Sequence, residues 1–265
     1  MLTTPFAAGS PNWTELATPD PAGAGDFYRG VFGWEYASAG PGTGGYGLFR
    51  LGGGTVAGVL PAGGGQAPPV WSVSFLTPDA DATAKAAEAA GGSVVRPPAD
   101  VLDLGRTATL ADGAGAAFVV WEPGTGEGLD LVDVPGGLTW VELYTPDEDA
   151  AFGFYSAVFG WEALSTPIPG GRGTYRMVNP AGRGPDAMFG GFVPLGSDPP
   201  EAGSDPHWLL YFAVTDCDAT VTRTRTLGGT VLTAPADVEG VGRFAKLTDP
   251  SGASFAIMQG VAQAM

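Results

Sequence analysis

The supply of reactive side chains in this chain is narrow. It holds one histidine, His207, and one cysteine, Cys217. A metal site with two imidazoles is therefore impossible, an internal disulfide is excluded, and a Ser-His-Asp triad would rest on a single imidazole. What the chain has instead is a carboxylate beside an indole, twice. Trp13 and Glu15 belong to the segment WTELATPD, and Trp140 and Glu142 to WVELYTPD. In an extended strand, residues two apart point to the same face. Each pair thus sets a ring and an anion side by side. A carboxylate on an inner sheet face must be hydrated, paired or functional. Three roles are open for Glu15 and Glu142. They are a general base in a partly apolar pocket, an acceptor for a ligand amine or hydroxyl, or the structural partner of an arginine. Arg106 and Arg243 recur at matching places in GRTATL and GRFAKL and would supply that partner.

The remaining candidates depend on the faces they occupy. His207 is the acid/base candidate if it shares a face with Glu142, and otherwise a strand-edge residue; Val70 stands in its place in the first half. Tyr46 and Tyr175 fall in comparable strands and offer hydroxyls. Trp13, Trp140, Trp71, Trp208 and Trp121 offer planes for stacking on a flat conjugated ligand. Trp34 and Trp161 follow an apolar helical stripe and read as core. Cys217 follows Asp216 at a helix start, where a thiol pKa can fall. With no base beside it, it reads as a buried bystander.

The elements that carry these residues repeat. Residues 13–35, WTELATPDPAGAGDFYRGVFGWE, match residues 140–162, WVELYTPDEDAAFGFYSAVFGWE, at more than half of their positions. WSVSFLTPDADAT from Trp71 matches WLLYFAVTDCDAT from Trp208, and GRTATLADGAGAAF matches GRFAKLTDPSGASF. The later pairs are spaced more widely, and the extra residues fall in PLGSDPPEAGSDP, which reads as a lengthened surface loop. Two domains follow, 10–134 and 138–262, joined at VPGGL. Each half divides again into two units of strand, helix and three strands. The first helix is predicted over Pro21–Phe32, capped by Asp20 and stopped by Gly33. The second is predicted over Asp79–Ala90, stopped by Gly91 and Gly92. The glycine runs Gly52–Gly54 and Gly63–Gly65 read as hairpin turns. Neither fits a phosphate-binding loop, and no dinucleotide fingerprint is present.

Composition excludes several classes. Twelve Lys and Arg against 28 Asp and Glu leave a formal net charge of −16, which cannot replace the counterions of nucleic acid. No apolar run approaches a membrane span, and no basic-then-apolar leader is visible. A soluble cytoplasmic protein is expected, without nucleic-acid or membrane partners. Hydrophobic residues at 44% give ample material for a core. The 44 Gly and 24 Pro follow no triplet period, which excludes collagen.

The strand ending in T-P-D, the F-Y-x-x-x-F-G-W helix ends (Phe27–Trp34, Phe154–Trp161) and the later D-P-x-G before a final strand (Asp249–Gly252, decayed to Asp112–Gly115) resemble the vicinal oxygen chelate superfamily. That is the superfamily of glyoxalases, bleomycin-resistance proteins and extradiol dioxygenases, and the match is nearest to its two-domain glyoxalase-like actinobacterial subgroup. The resemblance covers roughly residues 10–260. It implies an α+β fold of four βαβββ units, forming two tandem glyoxalase/bleomycin-resistance-like domains with cup-shaped mixed sheets. It also implies a ligand on the concave face, completed within a monomer or a homodimer. Enzymatic members hold a divalent ion with His and Glu. The matching positions here are Trp13, Gly58, Ser72 and Val119 in the first half, and Trp140, Gly191, Leu209 and Ala256 in the second. None is a good ligand, so no metal or other cofactor is expected.

The function expected is metal-independent binding of an aromatic or amphiphilic natural product, with the acidic charge favouring a cationic one. It would serve resistance by sequestration or act as a pathway accessory. The alternative is an enzyme of natural-product metabolism (isomerase, cyclase, lyase or hydroxylase-like) using Glu15, Glu142 or His207 as acid or base. The second half, with His207 and the longer loop, is the favoured one.

Overall fold

The structure is a computed structural model and describes residues 2–62, 68–167, 174–197 and 199–261. The expected Gly63–Gly65 turn lies outside the described residues. The first half runs β1 (Pro11–Thr18), α1 (Pro21–Phe32), β2 (Glu35–Ser38), β3 (Gly47–Leu51), β4 (Gly54–Pro61), β5 (Val70–Leu76), α2 (Ala80–Ala89), β6 (Ser93–Val101), β7 (Gly105–Ala111) and β8 (Ala117–Pro123). The second repeats it as β9 (Leu138–Thr145), α3 (Glu148–Phe159), β10 (Glu162–Pro167), β11 (Thr174–Asn179), β12 (Gly190–Pro194), β13 (His207–Ala213), α4 (Cys217–Thr226), β14 (Thr230–Val238), β15 (Gly242–Thr248) and β16 (Ser254–Gly260). Strand, helix and three strands thus occur four times.

The helices begin where a side chain satisfies their free amides. Asp20, Asp79, Asp147 and Asp216 each accept from the first turn of the following helix, Gly23 N at 2.9 Å and Ala82 N at 2.8 Å among them. Such a cap is worth ~1 kcal/mol. α1 and α3 stop on Gly33 and Gly160, both left-handed at φ 79° and 71°, a conformation that costs any residue with a Cβ.

Each half contributes one mixed eight-stranded sheet. The orders are β2-β3-β4-β1-β5-β8-β7-β6 and β10-β11-β12-β9-β13-β16-β15-β14. Both are open sheets, so any ligand face is the face of an open sheet. The compact units cut across the repeat. One consists of Met1–Trp13, Ser72–Gly128 and Trp140–Leu209; the other of Thr14–Trp71, Leu129–Thr139 and Leu210–Met265.

In the first unit α2 packs on α3. At its centre Tyr155 is fully buried, accepts from Trp208 Nε1 at 3.1 Å and donates to Asp112 at 3.2 Å. Trp161 and Phe118 lie against it, Phe75 packs on Trp161, and Trp161 Nε1 donates to Gly9 O at 2.8 Å. In the second unit α1 packs on α4. Tyr28 there accepts from Trp71 Nε1 at 2.9 Å and donates to Asp249 at 3.3 Å, and Trp34 Nε1 donates to Gly136 O at 2.8 Å. The two aspartates are those of the D-P-x-G turns, and each also gathers the turn's backbone amides. The motif therefore serves as a core polar anchor. No helix among the described residues is long and apolar enough to cross a membrane.

Candidate functional site

β9 presents Trp140, Glu142 and Tyr144 on one face by strand alternation. Glu142 is half-buried and stands in register with Gly191 of β12, which in turn pairs with Met177 of β11. Tyr175 of β11 reaches over β12 to Glu142, donating its hydroxyl to Oε1 at 2.7 Å. Gly191 permits this, because a Cβ there would collide with the Tyr175 hydroxyl. Trp140 Nε1 donates to the same Tyr175 oxygen at 2.9 Å. From the other side, Tyr144 donates to Glu142 Oε2 at 3.2 Å. One carboxylate thus collects two phenols, one of them held by an indole.

The electrostatics follow from this arrangement. Burial first, and then the Glu142 carboxylate, push the Tyr175 phenol well above the ordinary tyrosine range, so it remains a donor. With a phenol donating to each oxygen, Glu142 is arranged as a hydrogen-bond acceptor. Tyr144 also stacks on His207 of β13, ring centroids 5.2 Å apart and 7° from parallel. His207 Nε2 lies 3.4 Å from Glu201 Oε2, and Nδ1 lies 2.8 Å from Asp205 O. The structure therefore brings Trp140, Glu142, Tyr175 and His207 together, as residues of one compact unit.

Tyr144 and Glu201 were not picked out by the sequence. Tyr144 had a signal, since it sits two residues beyond Glu142 on the same strand face and replaces Ala17 of the first half. Glu201 had none, because loop residues carry no face parity. Lys246 of β15 was also missed; it is 1% exposed and shares a sheet row with Ala256 and Tyr211.

Other expected residues stand elsewhere. Trp71 and Trp208 point into the cores. Each is buried in a helix-covered core and bonded to Tyr28 or Tyr155, since residue 208 points opposite to residue 207. Arg106 bridges Asp81 and Asp100 at 2.7 Å each, and Arg243 bridges Asp218 at 2.8 Å and Asp237 at 3.0 Å. They tie helix to hairpin at the surface, so the arginine partner considered for Glu142 is replaced by phenols. Trp121 is half-buried and bonded to Gly126 O at 2.8 Å. Trp13 and Glu15 are half-buried on β1, Glu15 in register with Gly58, and Tyr46 is half-buried just before β3. Cys217 is buried, and burial pushes its thiol up to about 11, which leaves it protonated.

The divalent ion implied by the resemblance does not fit these residues. Trp140, Gly191, Leu209 and Ala256 offer no donor side chain, and the space above Gly191 is taken by the Tyr175 hydroxyl. Among the described residues no three His, Cys, Asp or Glu side chains converge. Two open depressions, of about 350 and 330 Å³, lie away from the network. One is at the β14–β15 turn beside Arg243, the other beside Thr83 and Phe159. The first is lined by a guanidinium already bonded to Asp237 and Asp218; in the second the one ionisable group, Asp79, is the cap of α2. The Glu142 network, with its converging polar atoms, is the stronger candidate.

Comparison with known proteins agrees with the topology. A model of the Glyoxalase/Bleomycin resistance protein/Dioxygenase superfamily matches residues 10–120 and 137–257. The anthracycline biosynthesis protein DnrV of Streptomyces peucetius is 42% identical, over 97% of this chain and 95% of its own. Among solved structures, the 2,3-dioxygenase LapB from Pseudomonas sp. KL28 aligns with a TM-score of 0.65 at 14% identity, over 98% of this chain and 96% of that one. The Mn(II)-bound glyoxalase from Novosphingobium aromaticivorans aligns with a TM-score of 0.61 at 16% identity, over 96% and 83%. At such identities the two structures speak for the fold alone.

Proposed function

This chain belongs to the Glyoxalase/Bleomycin resistance protein/Dioxygenase superfamily, and from that premise we propose that it is a metal-independent binding protein for an aromatic, hydrogen-bond-donating natural product. The observation that carries this reading is the Trp140–Tyr175–Glu142–Tyr144 network, which sets an indole and a carboxylate acceptor on one strand face. The indole of Trp140 offers a plane, and the carboxylate accepts from a phenol, hydroxyl or amine. A relative named for anthracycline biosynthesis supports a polycyclic aromatic ligand. The role is that of a pathway accessory or of sequestration. The negative charge of the chain favours cationic ligands through long-range attraction.

A flat probe with two phenolic donors, 1,4-dihydroxyanthraquinone, tests it. Saturable quenching of tryptophan fluorescence is expected, unaffected by EDTA, with the probe recovered unchanged. Glu142→Gln exchanges a charge-assisted bond for a neutral one and weakens binding ~10-fold or more. Absence of binding, or stoichiometric metal needed for it, sinks the proposal. The paired phenols on Glu142 are also a short proton path, and this favours the second reading, an acid/base enzyme acting through Glu142. Chemical conversion of a bound ligand that is lost in Glu142→Gln would select it.

A further inference from the structure

The single histidine has a geometry that neither reading uses. Its two ring nitrogens both face acceptors. Nδ1 lies 2.8 Å from the Asp205 carbonyl oxygen, and Nε2 lies 3.4 Å from the Glu201 carboxylate. A neutral imidazole carries one N–H and can serve only one of them, whereas an imidazolium serves both. The Glu201 side chain is 10% exposed, so its charge gains from a nearby cation. The ring face lies flat against Tyr144, and a cationic ring on a phenol adds attraction that a neutral one lacks. Tyr144 in turn donates to Glu142.

We propose that His207, as an imidazolium, is the positioning residue of the site, pinning the Glu201–Asp205 turn to β13 and seating Tyr144 for its bond to Glu142. The groups seen against His207 are the Glu201 carboxylate and the Asp205 carbonyl on the turn and the Tyr144 ring on β9, with Glu142 beyond it. The turn has its own brace, Ser204 N and Oγ both bonded to Glu201 O at 3.0 and 2.9 Å. It is therefore a defined loop. The first half has Val70, 52% exposed, in the place of His207 and Ala17 in that of Tyr144. The device belongs to the second sheet.

The proposal rests on the binding reading above for its consequence, but its first test needs no ligand. Since His207 is the only histidine, its imidazole ¹⁵N and ¹³C signals are unambiguous. Hydrogen exchange at the Ser204 amide, corrected for the intrinsic rate, is expected to be about fivefold better protected where the ¹⁵N signals show the imidazole protonated than where they show it neutral. His207→Gln and Glu201→Gln should each flatten that difference, the second keeping the imidazole should the first fail to fold. Affinity for 1,4-dihydroxyanthraquinone should follow the same titration in the native chain and lose it in both variants. Protection of Ser204 that ignores the imidazole titration overturns the proposal. A probe that does not bind, with the exchange difference intact, overturns the binding reading and leaves the His207 clasp standing.

Discussion

The strands β1 and β9 share a sequence pattern and differ in what surrounds it. β1 carries Trp13, Glu15 and Ala17; β9 carries Trp140, Glu142 and Tyr144. Around β9, Tyr175 and Tyr144 both donate to the carboxylate, and His207 stacks on Tyr144. In the first half the matching places hold Tyr46, Ala17 and Val70. The cores beneath show the reverse. Tyr28, Trp71 and Asp249 in one unit, and Tyr155, Trp208 and Asp112 in the other, make the same two bonds within 0.2 Å. A buried tyrosine, indole and carboxylate satisfy one another, and any single change strands a polar group. The repeat is thus preserved in the two cores and varied on the strand face, where Tyr144 and His207 replace Ala17 and Val70.

The most direct way to break that comparison is at Gly191. Gly191→Ala leaves all members of the network in the chain but drives the Tyr175 hydroxyl away from Glu142. Binding of the dihydroxyanthraquinone probe should fall ~10- to 100-fold, as for loss of a charge-assisted bond and the fit that accompanies it. Glu15→Gln on β1 should change it less than twofold. Isothermal titration of both variants decides the matter. Equal losses would mean that the two sheets bind alike and that Tyr144 and His207, which replace Ala17 and Val70, carry no functional weight.

The cores supply the opposite expectation. Tyr28→Phe and Tyr155→Phe each strand an indole N–H and remove a donor from a buried aspartate. Each should cost ~1–3 kcal/mol of stability by denaturant unfolding, and the two costs should agree closely. A large inequality would show that the matching geometry conceals different environments. It would also weaken the view that packing held the two cores alike.

Most of the fold could be read from the residues, and the reasons are local. Asp20 and Gly33 bound α1 at Pro21–Phe32 as predicted, because cap and stop are decided within a turn. α2 is shorter than the predicted Asp79–Ala90, at Ala80–Ala89, because Asp79 is the cap and not the first helical residue. The β1 and β9 faces followed from alternation alone. Directions that depend on tertiary register did not follow. Trp71 and Trp208 looked like ligand planes, yet parity within β13 sends Trp208 to the core and His207 outward. Arg106 and Arg243 looked like partners for Glu15 and Glu142. Instead each meets two aspartates, on its own helix and hairpin, a proximity that no spacing rule reveals. Glu201 lay in a loop with no periodicity to read.

A smaller effect sharpens the comparison at high pH. Tyr175 has a folded pKa raised above its unfolded value, by burial first and Glu142 second. Its contribution to stability is therefore fully present below the unfolded tyrosine pKa of ~10 and is lost as pH rises through the higher folded one. In an alkaline absorbance titration one late-ionising phenol should disappear in Tyr175→Phe. In Glu142→Gln it should shift towards the ordinary range, because the nearby charge is gone while burial remains. An unmoved phenol in Glu142→Gln would mean that the carboxylate contributes little to Tyr175, and that the hydrogen bond is weaker than its 2.7 Å implies.

The smallest effect concerns Cys217, where the first half has Ala80. Both sit at the first position of a helix and donate a backbone N–H to a side chain, Cys217 to Gln259 at 2.9 Å and Ala80 to Glu122 at 2.9 Å. The helix N-terminus alone would lower the thiol pKa. Burial outweighs it and pushes the thiol up to about 11, with Asp218 adding to the rise. Ellman's reagent at pH 8 should therefore react slowly with the native chain and rapidly once it is unfolded. Cys217→Ala should leave probe binding unchanged and alter stability only slightly, since Ala80 already shows that the repeat accommodates a methyl there. Rapid native labelling would place the thiolate in reach of solvent and reopen Cys217 as a reactive group of the second half that the β9 network does not account for.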